Sequence, residues 1–307
     1  MNYLRKWDEF WFGKITLAPL CAFRIALGAL MFIFVLSRSS DLEVFYTNKG
    51  FLTAAYADLV EYFTYQKSIF YIYDDIRLIT SMHIALLLSL IALTLGFYTR
   101  VAAVLVFVLN LMFINRNPAI QYGVDFISSF YLFYLMFADS GARFSIDAAR
   151  LKKKVGKSGY PRESRDILTP VAFRLMQIQL CVIYFYSGTA KLKGSRWWNG
   201  SAIFDVLTME GLVAFDFSFL AYFPHLLVFA CYMTLLWEIF FPTLIWIKPF
   251  QLPLIIFGCL MHIAFGVVLQ IPVFGALMCA VYLLFLDPSL IERFFNLRFR
   301  LVGDGPK

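Results

Sequence analysis

The chain has 307 residues, of which 61% are hydrophobic and 19% aromatic; only 15% are charged, and the formal net charge is +7. A soluble domain carries about a quarter charged residues, so a soluble globular class is excluded. The apolar residues gather in runs of about 17 to 25, the length that crosses ~30 Å of hydrocarbon, so the chain reads as an all-α, polytopic membrane helix bundle.

Eight spans are predicted in chain order: 17–37, 79–97, 101–115, 121–138, 170–187, 224–247, 252–269 and 271–286. The first carries Arg24 and is followed by no small-residue cleavage site, so it reads as a retained helix rather than a signal peptide. Only Gln270-Ile271-Pro272 divides the last two, which points to a partly re-entrant segment. Pro242, Pro249, Pro253 and Pro272 bound or kink their helices. Two longer connections, 38–78 and 188–223, are rich in tyrosine, tryptophan and carboxylates and are expected to form short helices capping the outer mouth of one domain, 1–307.

Charge orients the bundle. Arg5, Lys6, Lys14, Arg100, Arg293 and the loop 139–169, with Arg143, Arg150, Lys152, Lys153, Lys154, Lys157, Arg162 and Arg165, fall on the side of both termini. The positive-inside rule puts that side in the cytoplasm of a cell membrane. The loop is expected to meet anionic lipid headgroups rather than nucleic acid. Cys21, Cys181, Cys231, Cys259 and Cys279 all lie in apolar runs, with no C-x-x-C pair and no histidine at metal spacing. They read as small buried residues, with no metal site expected.

Few ionisable groups enter the spans, and each has two readings. Arg24 and Arg174 snorkel to headgroups or pair with a carboxylate. Asp125, following Gly123, caps the fourth span or orients a polar ligand or Lys191. Glu238 and His262 stand near the middles of the sixth and seventh spans, where one Glu–His pair either fixes helix register or serves a proton path. His83 and His225 sit at predicted helix ends, where solvation is the default. Lys191 follows Tyr184-Phe185-Tyr186-Ser187-Gly188-Thr189-Ala190 at the hydrocarbon edge. It either snorkels to the outer headgroups or, held near neutrality by poor solvation, acts as a base. Gly188 lets a backbone or a flat ring approach closely. A membrane-soluble quinone ring suits such surroundings, with Gly188, Tyr184 and Trp198 as its expected contacts.

The block Tyr184-Phe185-x-x-Gly188-x-x-Lys191-Leu192, with Trp197, Trp198 and Gly200 after it, resembles the central signature of the horizontally transferred transmembrane domain family, whose best-known members are the vitamin K-dependent gamma-carboxylases. Phe23-Arg24-Ile25, the run from Asp41 to Tyr46, Asn117-Pro118, Gly123-Val124-Asp125 and Ser145-Ile146-Asp147 are similar to further stretches of that family. The resemblance implies a reduced quinone, menaquinol or vitamin K hydroquinone-like, as cofactor and Lys191 as the base that deprotonates it. Oxygen then generates the strong base that acts on substrate. Asp125, His262 and Glu238 become the orienting groups. Two features depart from the carboxylases. No histidine stands in Ile120–Asp125, and these residues hold no counterpart of the large outer substrate-binding domain. The expected substrate is therefore a small molecule or a peptide. Shorter relatives of the family imply an alternative: a non-enzymatic membrane component for maturation, export or immunity toward a peptide toxin, with a small protein as partner.

Overall fold

The computed structural model describes residues 2–59, 68–156, 163–209, 211–213 and 215–303. Glu61, Tyr62, Tyr65 and Lys67 of the first outer connection, Glu210 of the second, and Lys157 and Arg162 of the basic loop lie outside the described residues. Apart from one bridge between Thr16 and Glu163, the described residues form helices and turns. Helices are the form in which a backbone satisfies its own polar groups in hydrocarbon.

The chain divides into two compact units. Met1–Arg174 with Asp287–Lys307 form the first, and Leu175–Leu286 the second. In the first unit, α1 (Asn2–Phe12) exposes Tyr3, Leu4, Trp7 and Phe12. It leads into the long apolar α2 (Ala18–Leu36). Short helices α3 (Leu42–Tyr46) and α4 (Ala54–Leu59) occupy the first outer connection. Next come α5 (Ile76–Leu95), α6 (Thr99–Arg116), α7 (Gly123–Phe137) and the basic α8 (Ile146–Val155). Helix α5 packs between α2 and α6, and α7 packs on α6. Helix α9 (Leu168–Leu192) starts in the first unit and ends in the second. The second unit continues with α10 (Ser195–Trp198), α11 (Ala202–Leu207), α12 (Pro224–Leu244), α13 (Lys248–Val268) and α14 (Pro272–Val281). Helix α13 packs on α14 and α12, and α11 on α12. Helix α15 (Pro288–Gly303) returns to α2 in the first unit.

Among the described residues, six helices are long and apolar enough to cross a membrane: the segment from Ala18 to Tyr46, α5, α6, α9, α12 and α13. Two of the eight predicted spans differ. Helix α7 has 15 residues, about 22 Å of rise, which falls short of the hydrocarbon thickness. The last span is a pair of apolar segments, Pro272–Phe285 and Pro288–Phe295, bent by 113° at the break, as a broken span or re-entrant loop would be. Asp287-Pro288 starts a new helix there, and proline cannot donate to the preceding turn.

The first unit is held at its polar points by buried arginines. Arg38 donates to both oxygens of Asp125 at 3.0 and 3.1 Å and stacks over Phe34 at 4.2 Å. Asp125 also accepts from the Tyr122 backbone N–H at 3.1 Å, so it caps α7 as expected and holds Arg38 as well. Arg38 and Arg116 look like loop charges in the sequence, yet Arg116 is fully buried and donates to the Leu52 carbonyl at 3.0 Å. Arg24 is likewise buried and reaches the Phe144 carbonyl at 2.7 Å, so it neither snorkels nor, among the described residues, pairs with a carboxylate. Arg174 donates to the Phe10 carbonyl and stacks on that ring. His83 is not solvated: α5 begins at Ile76, which carries His83 two turns inside, where it is buried and bonded to Ser39 at 2.8 Å. His225, in the first turn of α12, is exposed.

Asp125 is wholly buried and Arg38 nearly so. Arg38→Ala should therefore lower unfolding stability by about 3 to 5 kcal/mol, because a carboxylate is left in apolar surroundings without its cation. Thermal unfolding in detergent, with Arg38→Lys as the partial rescue, measures this. At the start of α9, burial raises the Asp166 carboxyl, but hydrogen bonds from Thr169 and the Arg100 guanidinium outweigh it and hold the group below the ordinary aspartate value. A depressed acid contributes stability that is present above its unfolded pKa and is lost as pH falls through the folded one. Between about pH 6 and about pH 3 the wild type should lose more stability than Asp166→Asn, read as the shift of the melting midpoint with pH.

Candidate functional site

The second unit carries a polar cluster in its apolar interior. On α9, Tyr184, Ser187, Gly188 and Lys191 are spaced i, i+3, i+4 and i+7, so one stripe of the helix presents them all. Against this stripe packs α12. A Cβ on Gly188 would stand 2.9 Å from the Ile239 side chain and 3.3 Å from its backbone nitrogen, so only glycine allows the two helices to meet this closely. The ring or backbone expected at Gly188 is thus the backbone of α12.

Close approach places Glu238 over the end of α9. The Lys191 Nζ donates to both Glu238 oxygens at 2.8 and 2.7 Å and to Ser187 Oγ at 2.5 Å, while Ser187 Oγ donates to Glu238 Oε1 at 3.2 Å. The Glu238 side chain is 7% exposed and that of Lys191 23%. Trp197 covers the ammonium from 5.4 Å. Trp198 is exposed, and its indole N–H donates to the Leu192 carbonyl at 2.7 Å, closing the C-terminus of α9.

One turn pair deeper, about 10 Å along the helix from Lys191, a second cluster forms. The Tyr184 hydroxyl lies 2.8 Å from His262 Nε2 on α13 and 2.5 Å from the Tyr282 hydroxyl just past α14. Trp237 and Phe241 of α12 set their edges against the Tyr184 ring at 4.6 and 4.7 Å. A Cβ on Gly258 would stand 2.1 Å from the Tyr282 oxygen and 2.7 Å from the Trp237 ring, so this glycine makes room for both. All three ring side chains are buried, and His262 Nδ1 has no hydrogen-bond partner among the described residues. A buried polar atom left unmatched costs about 1 to 3 kcal/mol.

The predicted Glu238–His262 pair is therefore replaced by two pairs, Glu238–Lys191 and His262–Tyr184. The reason is the α9 stripe, which offers a cation to one and a hydroxyl to the other. Asp125 is engaged with Arg38 in the first unit. Sequence reasoning missed Tyr282 and Arg38. Tyr282 is a lone hydroxyl in an apolar run, the one signal that could have marked it. Apolar cavities of about 420 and 240 Å³ flank α12 and α13, and neither is lined by Lys191, Ser187, Glu238, Tyr184, His262 or Tyr282. Both are lined by Met233 and Phe257, and the smaller reaches Trp237.

The family model described as HTTM domain matches residues 12–289. The chain belongs to the HTTM family. Comparisons with curated proteins and with solved structures each gave no match. As an HTTM protein with six long apolar helices among its described residues, it is a multi-pass membrane protein.

The Lys191–Glu238 pair has a testable core. Lys191→Met strands Glu238 and should lower stability by about 3 to 5 kcal/mol, whereas Glu238→Gln added to Lys191→Met should recover most of the loss. Unfolding of the two single variants and the double variant in detergent closes the cycle, and a loss in the double chain equal to the sum of the two single losses would show that the pair carries no coupling.

Proposed function

We propose that this protein is a quinol- and oxygen-dependent membrane enzyme that modifies a small or peptide substrate, with Lys191 as its base. The observation that carries the reading is the Lys191–Glu238–Ser187 cluster, a proton-accepting group built across two helices at the end of a membrane segment. A reduced quinone, menaquinol or vitamin K hydroquinone-like, supplies an acidic phenol and two electrons for oxygen. The residues present suit it: an unmatched imidazole nitrogen at His262, the hydroxyl of Tyr184 and apolar cavities fit for an isoprenoid tail along Met233 and Phe257.

The chain's own part is proton handling. Lys191 Nζ gains a proton as it passes one of its own to Glu238 Oε2, 2.7 Å away. It begins and ends as an ammonium while the carboxylate becomes a carboxylic acid. The pair thus takes up one proton while Nζ stays within hydrogen-bond reach of Glu238 throughout. Ser187 keeps Nζ oriented, and Trp197 shields it from water. His262, Tyr184 and Tyr282 offer an alternating donor–acceptor chain that holds a polar ring group.

On this reading the protein lies in the cell membrane with both termini cytoplasmic, the side to which the basic residues incline it. Exposed Lys152, Lys153 and Lys154 on α8 then face anionic headgroups.

A second reading is favoured by one fact: both Glu238 oxygens are held by Lys191, as in a tie that only joins α9 to α12. In that case the chain serves a peptide toxin system as a non-enzymatic partner. Lys191→Arg separates the two. Arginine keeps the pair but does not release its proton at physiological pH. On the enzyme reading the variant should melt near the wild type and lose about a hundredfold or more of quinol oxidation, measured by absorbance with oxygen uptake. Unchanged turnover in that variant would sink the base assignment, and a wild type that neither oxidises nor retains quinol would favour the partner reading.

A further inference from the structure

The turn between α5 and α6 in the first unit brings two unlike cavities together. One, of about 340 Å³, is an apolar groove lined by Leu88, Ala92, Val101 and Leu105. The other, of about 350 Å³, is lined by Arg100, Asp139, Asp147 and Arg165. Tyr98 and Val101 line both. The turn joins two membrane helices, so the polar cavity lies at headgroup depth and the groove runs from it along hydrocarbon. Arg150 stacks on Phe97 and Tyr98 at 4.7 and 5.6 Å, adding a cation at the junction.

The carboxylates of the polar cavity are not equivalent. Asp147 is fully used: it accepts from the Tyr98 and Thr99 backbone N–H groups at 3.0 and 2.8 Å and from the Thr99 hydroxyl at 2.7 Å. Among the described residues no donor hydrogen-bonds the Asp139 carboxylate. Burial pushes its carboxyl above the ordinary aspartate value, against the pull of Arg100 and Arg165. A half-buried carboxylate with no donor calls for a cationic N–H. Arg100 pairs with Asp166 at 2.8 Å on the exposed rim through one of its nitrogens, and a guanidinium has further N–H donors to offer a phosphate.

We propose that this turn binds one aminophospholipid, with its ammonium on Asp139, its phosphate against Arg100 and Arg165, and an acyl chain in the groove beside Leu88 and Leu105. The charge pattern selects this occupant. A choline headgroup has no N–H to give Asp139, and a glycerol headgroup brings no positive charge. Loose attraction of anionic lipid by the lysines of α8 is a separate effect and does not involve Asp139.

The test titrates the detergent-purified full chain with short-chain phosphatidylethanolamine, phosphatidylcholine and phosphatidylglycerol, counting bound lipid by native mass spectrometry. Phosphatidylethanolamine should bind at least about tenfold more tightly than either other lipid. Asp139→Asn should remove that preference by weakening ethanolamine lipid alone. Leu151→Trp, which fills the polar cavity without changing charge, should weaken it as well. Equal binding of the three lipids by the wild type overturns the proposal, and that comparison needs no variant to fold. A preference for phosphatidylglycerol, or an ethanolamine preference that survives Asp139→Asn, overturns it too.

Discussion

A carboxylate in an apolar interior must be met by a cation or give up its charge, and Glu238 is met by Lys191. Much of the second unit's geometry follows from that requirement. For the two groups to meet, α12 must lie against the stripe of α9 that ends in Lys191, and Gly188 is the residue that permits it. Once the helices are that close, Ser187 falls between the charged groups and Trp197 over them. The first unit solves the same problem with Asp125 and Arg38.

The Lys191–Glu238 pair has two consequences that pull in different directions. Its attraction joins two helices, a structural service that any well-placed ion pair performs. Its two members also share a proton between atoms less than 3 Å apart, which is the minimum equipment for taking up another. Beside the pair stands a chain of two tyrosines and one histidine, whose Nδ1 has no hydrogen-bond partner among the described residues.

Much of the architecture was legible before any coordinates. Apolar runs located all six membrane-length helices among the described residues, because crossing hydrocarbon demands a length and a composition that few other structures share. The weaker places were those where length alone misleads. Helix α7 is too short to span by itself, and the segment after Pro272 breaks at Asp287-Pro288. Of the site, Lys191, Glu238 and His262 were visible as polar residues in costly positions, and Tyr184, Gly188 and Lys191 as one motif. Their partners were not. Arg38 looks like a connection charge because hydropathy sees neither the rotation of α2's end nor the depth of Asp125.

The sequence by itself determined an all-helical, multi-pass membrane protein of the HTTM family and marked the expensive residues within it, since both follow from local composition, spacing and motif. Tertiary structure alone decided which expensive residues meet. Lys191 and Glu238 are 47 positions apart, and Tyr184 and His262 are 78 apart. Whether such residues touch depends on how each helix is rotated about its axis and how closely it packs. Those quantities are set by glycines and ring contacts on several helices at once, so no local stretch of chain contains them.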